Sequence, residues 1–413
     1  MTRRHRARRQ RAAPSFVVVS GVILAVVTIA AVVTRNEPKS AGTTVVAPSS
    51  SPSRRIVAST GTRSARPSPT SAATPLAVAA PWLAPVAAGT VGHLRAGSDP
   101  SVLPSSLLIV DKFNNRLIVV DPQGRIRWQF PRPGDLAPGQ TFFIPDDAFF
   151  SADGRYIIAT QEDQAVITLI DVAQHRIVYR YGVPGEPGMQ DNHLSNPDDA
   201  MLLPNGDIIT ADIMNCRLLL IRRGQHQPAQ VIGRTTTACL HDPPYRWGSP
   251  NGMFPMTNGH YLITEINGDW LNEIGLNGTV YWSMHPPGVS YPSDTNEIGP
   301  DRYLTADYSQ AGQVVIFDKA GNTIWRFQGS GPDALNHPSL ALPLPNGDVI
   351  LNDDYNHRVI VVDPRTNRIV WQYGVTGSAG SAPGYLNNPD GIDLVPPFSL
   401  LSTHASTMGM PAP

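Results

Sequence analysis

A proline opening an apolar run recurs at Pro145, Pro197, Pro250, Pro292, Pro338 and Pro389, at intervals of 52, 53, 42, 46 and 51 residues. Eight residues after each one stands a turn residue: Asp153 in SADG, Asn205 in LPNG, Asn258 in MTNG, Pro300 in IGPD, Asn346 in LPNG and Pro397 in LVPP. Asn-Gly and Asp-Gly between apolar runs mark tight hairpins, because both central residues take positive φ. The stretches DKFNNRLIVVDPQGRIRWQF at 111–130 and DDYNHRVIVVDPRTNRIVWQYG at 353–374 are near copies, although they lie almost at opposite ends of the repeat. A unit repeated at this period makes the chain an array of one supersecondary module.

Within each unit the turn is followed by a second apolar run (DIITA, YLITE, RYLTA, DVILN), a polar loop, and a third run such as RLIVVD, AVITLID, RLLLI or QVVIFD. A fourth usually closes on an aromatic: Trp128, Tyr179, Trp282, Trp325 or Trp371. Four short strands per unit, with no helical period between them, predict the blades of an all-β propeller. The first unit starts at SSLLIVD without its proline-led strand, and the last proline-led stretch, NNPDGIDLVP, has nothing to pair with after it. Together they make one blade. The expectation is therefore six four-stranded antiparallel blades over 101–398, with the ring closed by strand 388–396 and 399–413 left as a flexible tail.

The run N-P-D-(G/D), then P-N-G-D, then D-x-x-N-x-R-(V/L)-(I/L)-V-V-D resembles the NHL-repeat propellers and, more distantly, the gluconolactonase-like six-bladed propellers. The resemblance spans about 105–396 and is closest over 196–222 and 337–363. Endings such as RIVWQYG and NTIWRFQG are similar to quinoprotein-type repeats. These likenesses imply the fold and, from the NHL-type sensor and scaffold domains, a binding role.

Ahead of the repeats, Arg3, Arg4, Arg6, Arg8, Arg9 and Arg11 precede the uncharged run SFVVVSGVILAVVTIAAVVT. The expected organisation is a basic cytoplasmic segment at 1–14, a transmembrane anchor at 15–34 and a Pro/Ser/Thr/Ala-rich linker at 35–100. A cleaved signal peptide is the competing reading, disfavoured by the length of the run and the lack of an A-x-A site. The propeller is then extracytoplasmic on a single-pass membrane protein. A formal net charge of −1 gives no footprint for nucleic acid.

Propeller architecture puts the loops leading into the innermost strands on one face with those joining second to third strands. On it fall Asp146, Asp147, Asp198, Asp199, Asn251, Asp294, Asn296, Glu297 and Asp390 near the inner rim, with Asp111, Asp212, Glu265, Asp307 and Asp353 further out. Carboxylates and amides converging from several blades are hard-oxygen ligands suited to Ca²⁺ or Mg²⁺, and focused negative charge also draws cationic ligands. The outer acids, followed by Asn114, Asn215 and Asn356 and by Arg116, Arg217 and Arg358, are expected to serve as structural pairs instead. Four histidines, His337 beside Pro338 and the less closely tied His193, His241 and His285, stand in the lead-in loops, where imidazoles could bind Zn²⁺ or act as acid/base groups. The aromatics of the fourth strands are expected to cover the gaps between blades. Cys216 and Cys239 are expected on one face and, outside the membrane, joined as a disulfide, with free buried thiols as the alternative.

No G-x-S-x-G, H-E-x-x-H, phosphate-binding loop or C-x-x-C occurs. The function expected is a membrane-tethered binding module, sensor or scaffold, that takes a protein or small-molecule partner on its acidic face. The alternative is a metal-dependent hydrolase or lyase with its ion at the channel mouth.

Overall fold

In the computed structural model the described residues are 80–405. Six four-stranded antiparallel sheets form the six blades. The first blade pairs Pro389–Leu394 with Leu107–Asp111, Arg116–Val120 and Ile126–Phe130, so the last strand of the chain supplies the innermost strand of the first blade. The others run in sequence order, with innermost strands Ala148–Phe150, Pro197–Leu202, Pro250–Pro255, Pro292–Gly299 and Ala341–Pro343 touching one another around the central channel.

Four of the lead prolines sit where a missing N–H costs least, at the first residue of a strand, while Pro145 and Pro338 stand three residues ahead of theirs. Pro197, Pro250, Pro292 and Pro389 each lie opposite the outer acid of the same blade: Asp212, Glu265, Asp307 and Asp111. Just beyond each proline the ladder register slips. Strict alternation would send two consecutive residues to opposite faces of the sheet, whereas an irregularity of this kind re-aims side chains and releases both from that rule. This local break is what allows Asp-Asp pairs to line one channel.

The outer acids are structural. Arg116, Arg217 and Arg358 each donate from Nε to Asp111, Asp212 and Asp353 at 2.7 Å, and the Asn114, Asn215 and Asn356 amides donate to the same carboxylates at 2.8–2.9 Å. The second oxygen of each accepts the backbone N–H two residues before the lead proline, from Asn387, Ser195 and Asn336, at 2.7 Å. Gln161, Glu265 and Asp307 tie Phe143, Gly248 and Ser290 in the same place. One side chain per blade thus closes both loops of the channel face.

Between blades, the fourth strand reaches the next blade's hairpin. The indoles of Trp128 and Trp371 donate to Val172 O at 3.0 Å and Pro122 O at 2.9 Å, that of Trp325 to Asn367 Oδ1 at 2.7 Å, and the Tyr179 hydroxyl to Gln225 O at 2.5 Å. Trp282 stacks instead on Tyr303 of the next blade, at 5.3 Å. In the blade without an aromatic, Gln230 stands at the equivalent register position and its amide donates to Leu276 O. The aromatics therefore do cover the gaps.

The domain is longer at both ends than expected. Residues counted as linker lie across the exposed edges of the first and last blades: Trp82 contacts Trp128 and Phe150, Ala84 N donates to Arg127 O, and Leu94 bridges to Tyr373. Unpaired strand edges recruit such cover. The expected loose tail instead begins with a helix, Leu400–Ala405, whose Leu400 and Leu401 are buried. Low complexity hid the first segment and brevity the second. Among the described residues no helix is long and apolar enough to cross a membrane, and the run at 15–34 lies outside them.

Candidate functional site

The channel mouth is a cavity of about 290 Å³ walled by all six blades. The residue after each lead proline forms its inner ring: Asp146, Asp198, Asn251, Ser293, Ser339 and Asp390. Above it stands a second ring, the residue after each outer acid: Lys112, Glu162, Ile213, Ile266 and Tyr308 line the cavity, and Asp354 occupies the sixth place. Tyr291 completes the wall, 5.4 Å from Tyr308 between ring centroids.

Lys112 is the pivot of the mouth, and reading the sequence for acids alone missed it. Its Nζ lies 2.5 Å from Asp390 Oδ2 and 3.8 Å from Glu162 Oε2, and it also bonds Asp146. Burial alone would depress the ammonium, but these three carboxylates hold it charged, well above its ordinary range. Asp390 answers in kind: despite burial, Lys112 keeps its carboxyl below the usual value. Asp146 is pushed well up by burial and by Asp390, as is Glu162 to a lesser degree by burial. The signal was present in the repeat, because position 112 breaks the series at a fixed place after the outer acid. Glu162, Tyr308 and Asp354 were legible by the same alignment.

One step deeper, the second residue after the proline contributes Asp147, Asp199 and Asp294, with Gly252, Leu340 and Gly391 in the other blades. Ligand oxygens of these three carboxylates lie within 4.8 Å of one another, and those of Asp146, Asp147 and Asp198 form an overlapping group. Burial first, then neighbouring carboxylates, pushes Asp147, Asp198, Asp199 and Asp294 well above their ordinary range. Among the described residues, Lys112 is the one cation lining the mouth.

The remaining candidates separate. Asn251 is in the mouth, its amide on Ser293 Oγ. Asn296 lies deeper, donating to Ala341 O at 2.9 Å. Glu297 belongs to the other end of the channel, where it accepts from Thr257 N and Oγ1 at 2.6 and 2.8 Å and lines a largely apolar cavity with Leu342, Leu394 and Leu400. Five residues of strand from Pro292 carry it about 16 Å away from the mouth. The four histidines share no centre. His193 bonds Asp191 O on the surface, His241 and His285 flank Trp270 at 4.0 and 3.8 Å, and His337 rests against Tyr308 and Tyr355. Cys216 and Cys239 are joined, with Cα atoms 5.0 Å apart.

The family model described as the outer membrane protein assembly factor BamB (PQQ_2) matches residues 276–388. The match falls on the quinoprotein-type side of the resemblance, so the NHL label is not specific to this chain. No curated protein matches the sequence. Among solved structures, a protein of unknown function from Bacteroides caccae is 15% identical, with 71% of this chain and 100% of that chain covered and a TM-score of 0.51. A nidogen/laminin complex aligns at 14% identity over 70% and 98% of the two chains, TM-score 0.49. The virginiamycin B lyase from Staphylococcus aureus aligns at 15% over 55% and 69%, TM-score 0.40. At such identities the likeness speaks for the fold alone, and the last two are too distant in shape to add to it. The chain is a six-bladed β-propeller whose residues 276–388 carry a match to the BamB-type family.

Proposed function

We propose that the protein is a binding module that takes a cationic ligand, an organic ammonium free or carried on a basic side chain, in the channel mouth. The observation that carries this reading is the imbalance of charge: Asp146, Asp147, Glu162, Asp198 and Asp390 line the cavity with Lys112 as its one cation. Lys112 supports the same chemistry, since its own ammonium is held there by carboxylates from two blades. The rim supports the same reading, with Phe113, Met214 and Tyr355 each about half exposed on the loops that surround the mouth, as an apolar or cation–π collar would be. A binding or scaffold role also suits a propeller with a match to an assembly factor. In this proposal the arginine cluster and the run at 15–34 tether the propeller to the membrane with its open face on the extracytoplasmic side.

The test is calorimetric titration of the protein with spermidine and with phenethylamine. Saturable binding that weakens at least tenfold in Asp146→Asn/Asp390→Asn, and again in high salt, is expected. No saturable binding by either amine, or binding indifferent to the variant, refutes the reading.

A further inference from the structure

We propose that the mouth selects a trimethylammonium group, as carried by a choline-type alcohol, over a primary ammonium, with Tyr291 and Tyr308 setting that preference. The inference rests on the cationic reading of the mouth and narrows it to one class of cation.

The second ring of the mouth is divided. Asp354, Lys112 and Glu162 belong to three consecutive blades and form a charged half, whereas Ile213, Ile266 and Tyr308 belong to the other three and form an apolar half. On the charged half the directed acceptors are engaged, because Asp146, Asp390 and Glu162 all converge on Lys112. Beneath the apolar half the inner ring carries one acid, Asp198, beside Asn251 and Ser293, which bond each other. A primary ammonium placed there loses water from three N–H donors and finds mostly aliphatic and aromatic carbon in return. A trimethylammonium has no N–H to satisfy. It presents methyl groups to the same wall, while the excess carboxylates of the mouth balance its charge.

The rim of the fifth blade is built for such a guest. The residue before the lead proline takes a positive φ, between 46° and 56°, in five blades: Ile144, Asn196, Ser249, His337 and Asn388. Tyr291 is the sixth and does not. Its ring stands in the cavity wall beside Tyr308, with centroids 5.4 Å apart and planes inclined at 48°. The backbone fixes the pair, since Tyr308 N donates to Tyr291 O at 2.8 Å and Tyr291 N donates to Asp307 Oδ1 at 3.0 Å. Tyr308 packs in turn on His337 and Tyr355, at 4.9 and 6.4 Å. Two inclined rings make two sides of a cage, in which a cation stands within about 6 Å of both centroids. Burial first, then Asp198 for Tyr291 and Asp390 for Tyr308, pushes both phenols far above their ordinary range, so the rings stay neutral.

The acids also restrict what the cation carries. A carboxylate or phosphate tethered a few bonds from the nitrogen would be brought against Asp146, Asp198 and Asp390, so the fitting molecule is a choline-type alcohol and not a betaine or a phosphocholine headgroup.

The experiment is calorimetric titration of the full-length chain with choline, ethanolamine, glycine betaine, phosphocholine and dimethylbutanol, the uncharged carbon isostere of choline. Choline is expected to bind at least tenfold more tightly than ethanolamine, and the other three not to saturate. Tyr291→Leu/Tyr308→Leu should bring choline and ethanolamine within threefold of each other, and Tyr291→Phe/Tyr308→Phe, which keeps both rings, should restore the preference. Should the leucine variant melt early, the ligand series on the unaltered chain decides. Ethanolamine binding as tightly as choline, saturable binding by dimethylbutanol, or a leucine variant of unchanged Tm that still prefers choline tenfold overturns the proposal. Ethanolamine and spermidine binding without a preference for choline would sink this selectivity and leave the cationic reading of the mouth standing, whereas no binding by any amine or by choline removes both.

Discussion

The indole of Trp371 donates a hydrogen bond to Pro122 O at 2.9 Å, joining two residues separated by 249 positions in sequence. It makes the same clasp across the closure of the ring that Trp128 makes to Val172 within it, so the seam between last and first blades is built like the other seams. Trp371→Phe keeps the ring but removes the donor, and should lower stability by about 1 kcal/mol. Trp128→Phe should cost a similar amount in parallel denaturant titrations, and a much larger loss at Trp371 would mean the closing seam is a special weak point.

Removal of residues 387–413 should be far more damaging. Without Pro389–Leu394 the strand Leu107–Asp111 loses its inner partner and the first blade exposes a pairing edge to the channel. The truncated chain is expected to aggregate or unfold without cooperativity, as read by light scattering and circular dichroism. A truncated chain that melts like the intact one refutes the closure.

Lys112→Met leaves Asp146 and Asp390 facing each other with no cation between them. Stripping one partner from a buried ionic cluster costs about 3–5 kcal/mol. The loss should be greatest near pH 8 and shrink toward pH 5, where the carboxylates take up protons in place of the missing ammonium. Equal losses in stability at both pH values would show that packing of the lysine stem, not its charge, is what the mouth requires.

Asp393 supplies a second pH dependence, away from the mouth. Burial pushes its carboxyl up to about 7, although backbone N–H groups of Leu400, Phe150 and Leu394 bond it. An acid whose folded pKa is raised contributes stability that is complete below about pH 4 and is lost as pH rises through about 7. Asp393→Asn should therefore flatten part of the fall in unfolding free energy between pH 4 and 7, by up to about 4 kcal/mol, as read by denaturant titration at several pH values. An unchanged slope would place the titration elsewhere.

The Cys216–Cys239 bond closes a loop of 23 residues, for which chain entropy implies ~3 kcal/mol. Both thiols should resist alkylation in the folded, unreduced protein and react after reduction, and the double serine variant should lose stability on that scale. Free reaction without reductant rules out the bond.

Much of this molecule could be read from local chemistry. The constant eight-residue step from proline to turn, the D-x-x-N-x-R loops and the orphan strands at the two ends of the repeat are consequences of hydrogen bonding within one blade, and a blade is short enough for its logic to show in consecutive residues. Cys216 and Cys239 were legible for the same reason, being neighbours on one face of adjacent structure. Glu297 was misplaced because its distance from the proline was read as closeness in sequence, when an extended strand carries it the length of the channel.

What the sequence alone could not settle is how six copies meet at an axis. Lys112, Asp146 and Asp390 come from three separated segments and touch only because the ring closes. The same holds for Asp147, Asp199 and Asp294, each an ordinary strand-start aspartate in its own blade and part of an unsatisfied set only at the centre. Whether a carboxylate is a turn cap or a ligand depends on what surrounds it in space: the outer acids find their donors within their own blade, whereas the surroundings of the channel acids are set by the neighbouring blades. Local propensity determines each blade; the convergence of charge in a desolvated channel, and the chemistry it permits, is decided by the tertiary ring.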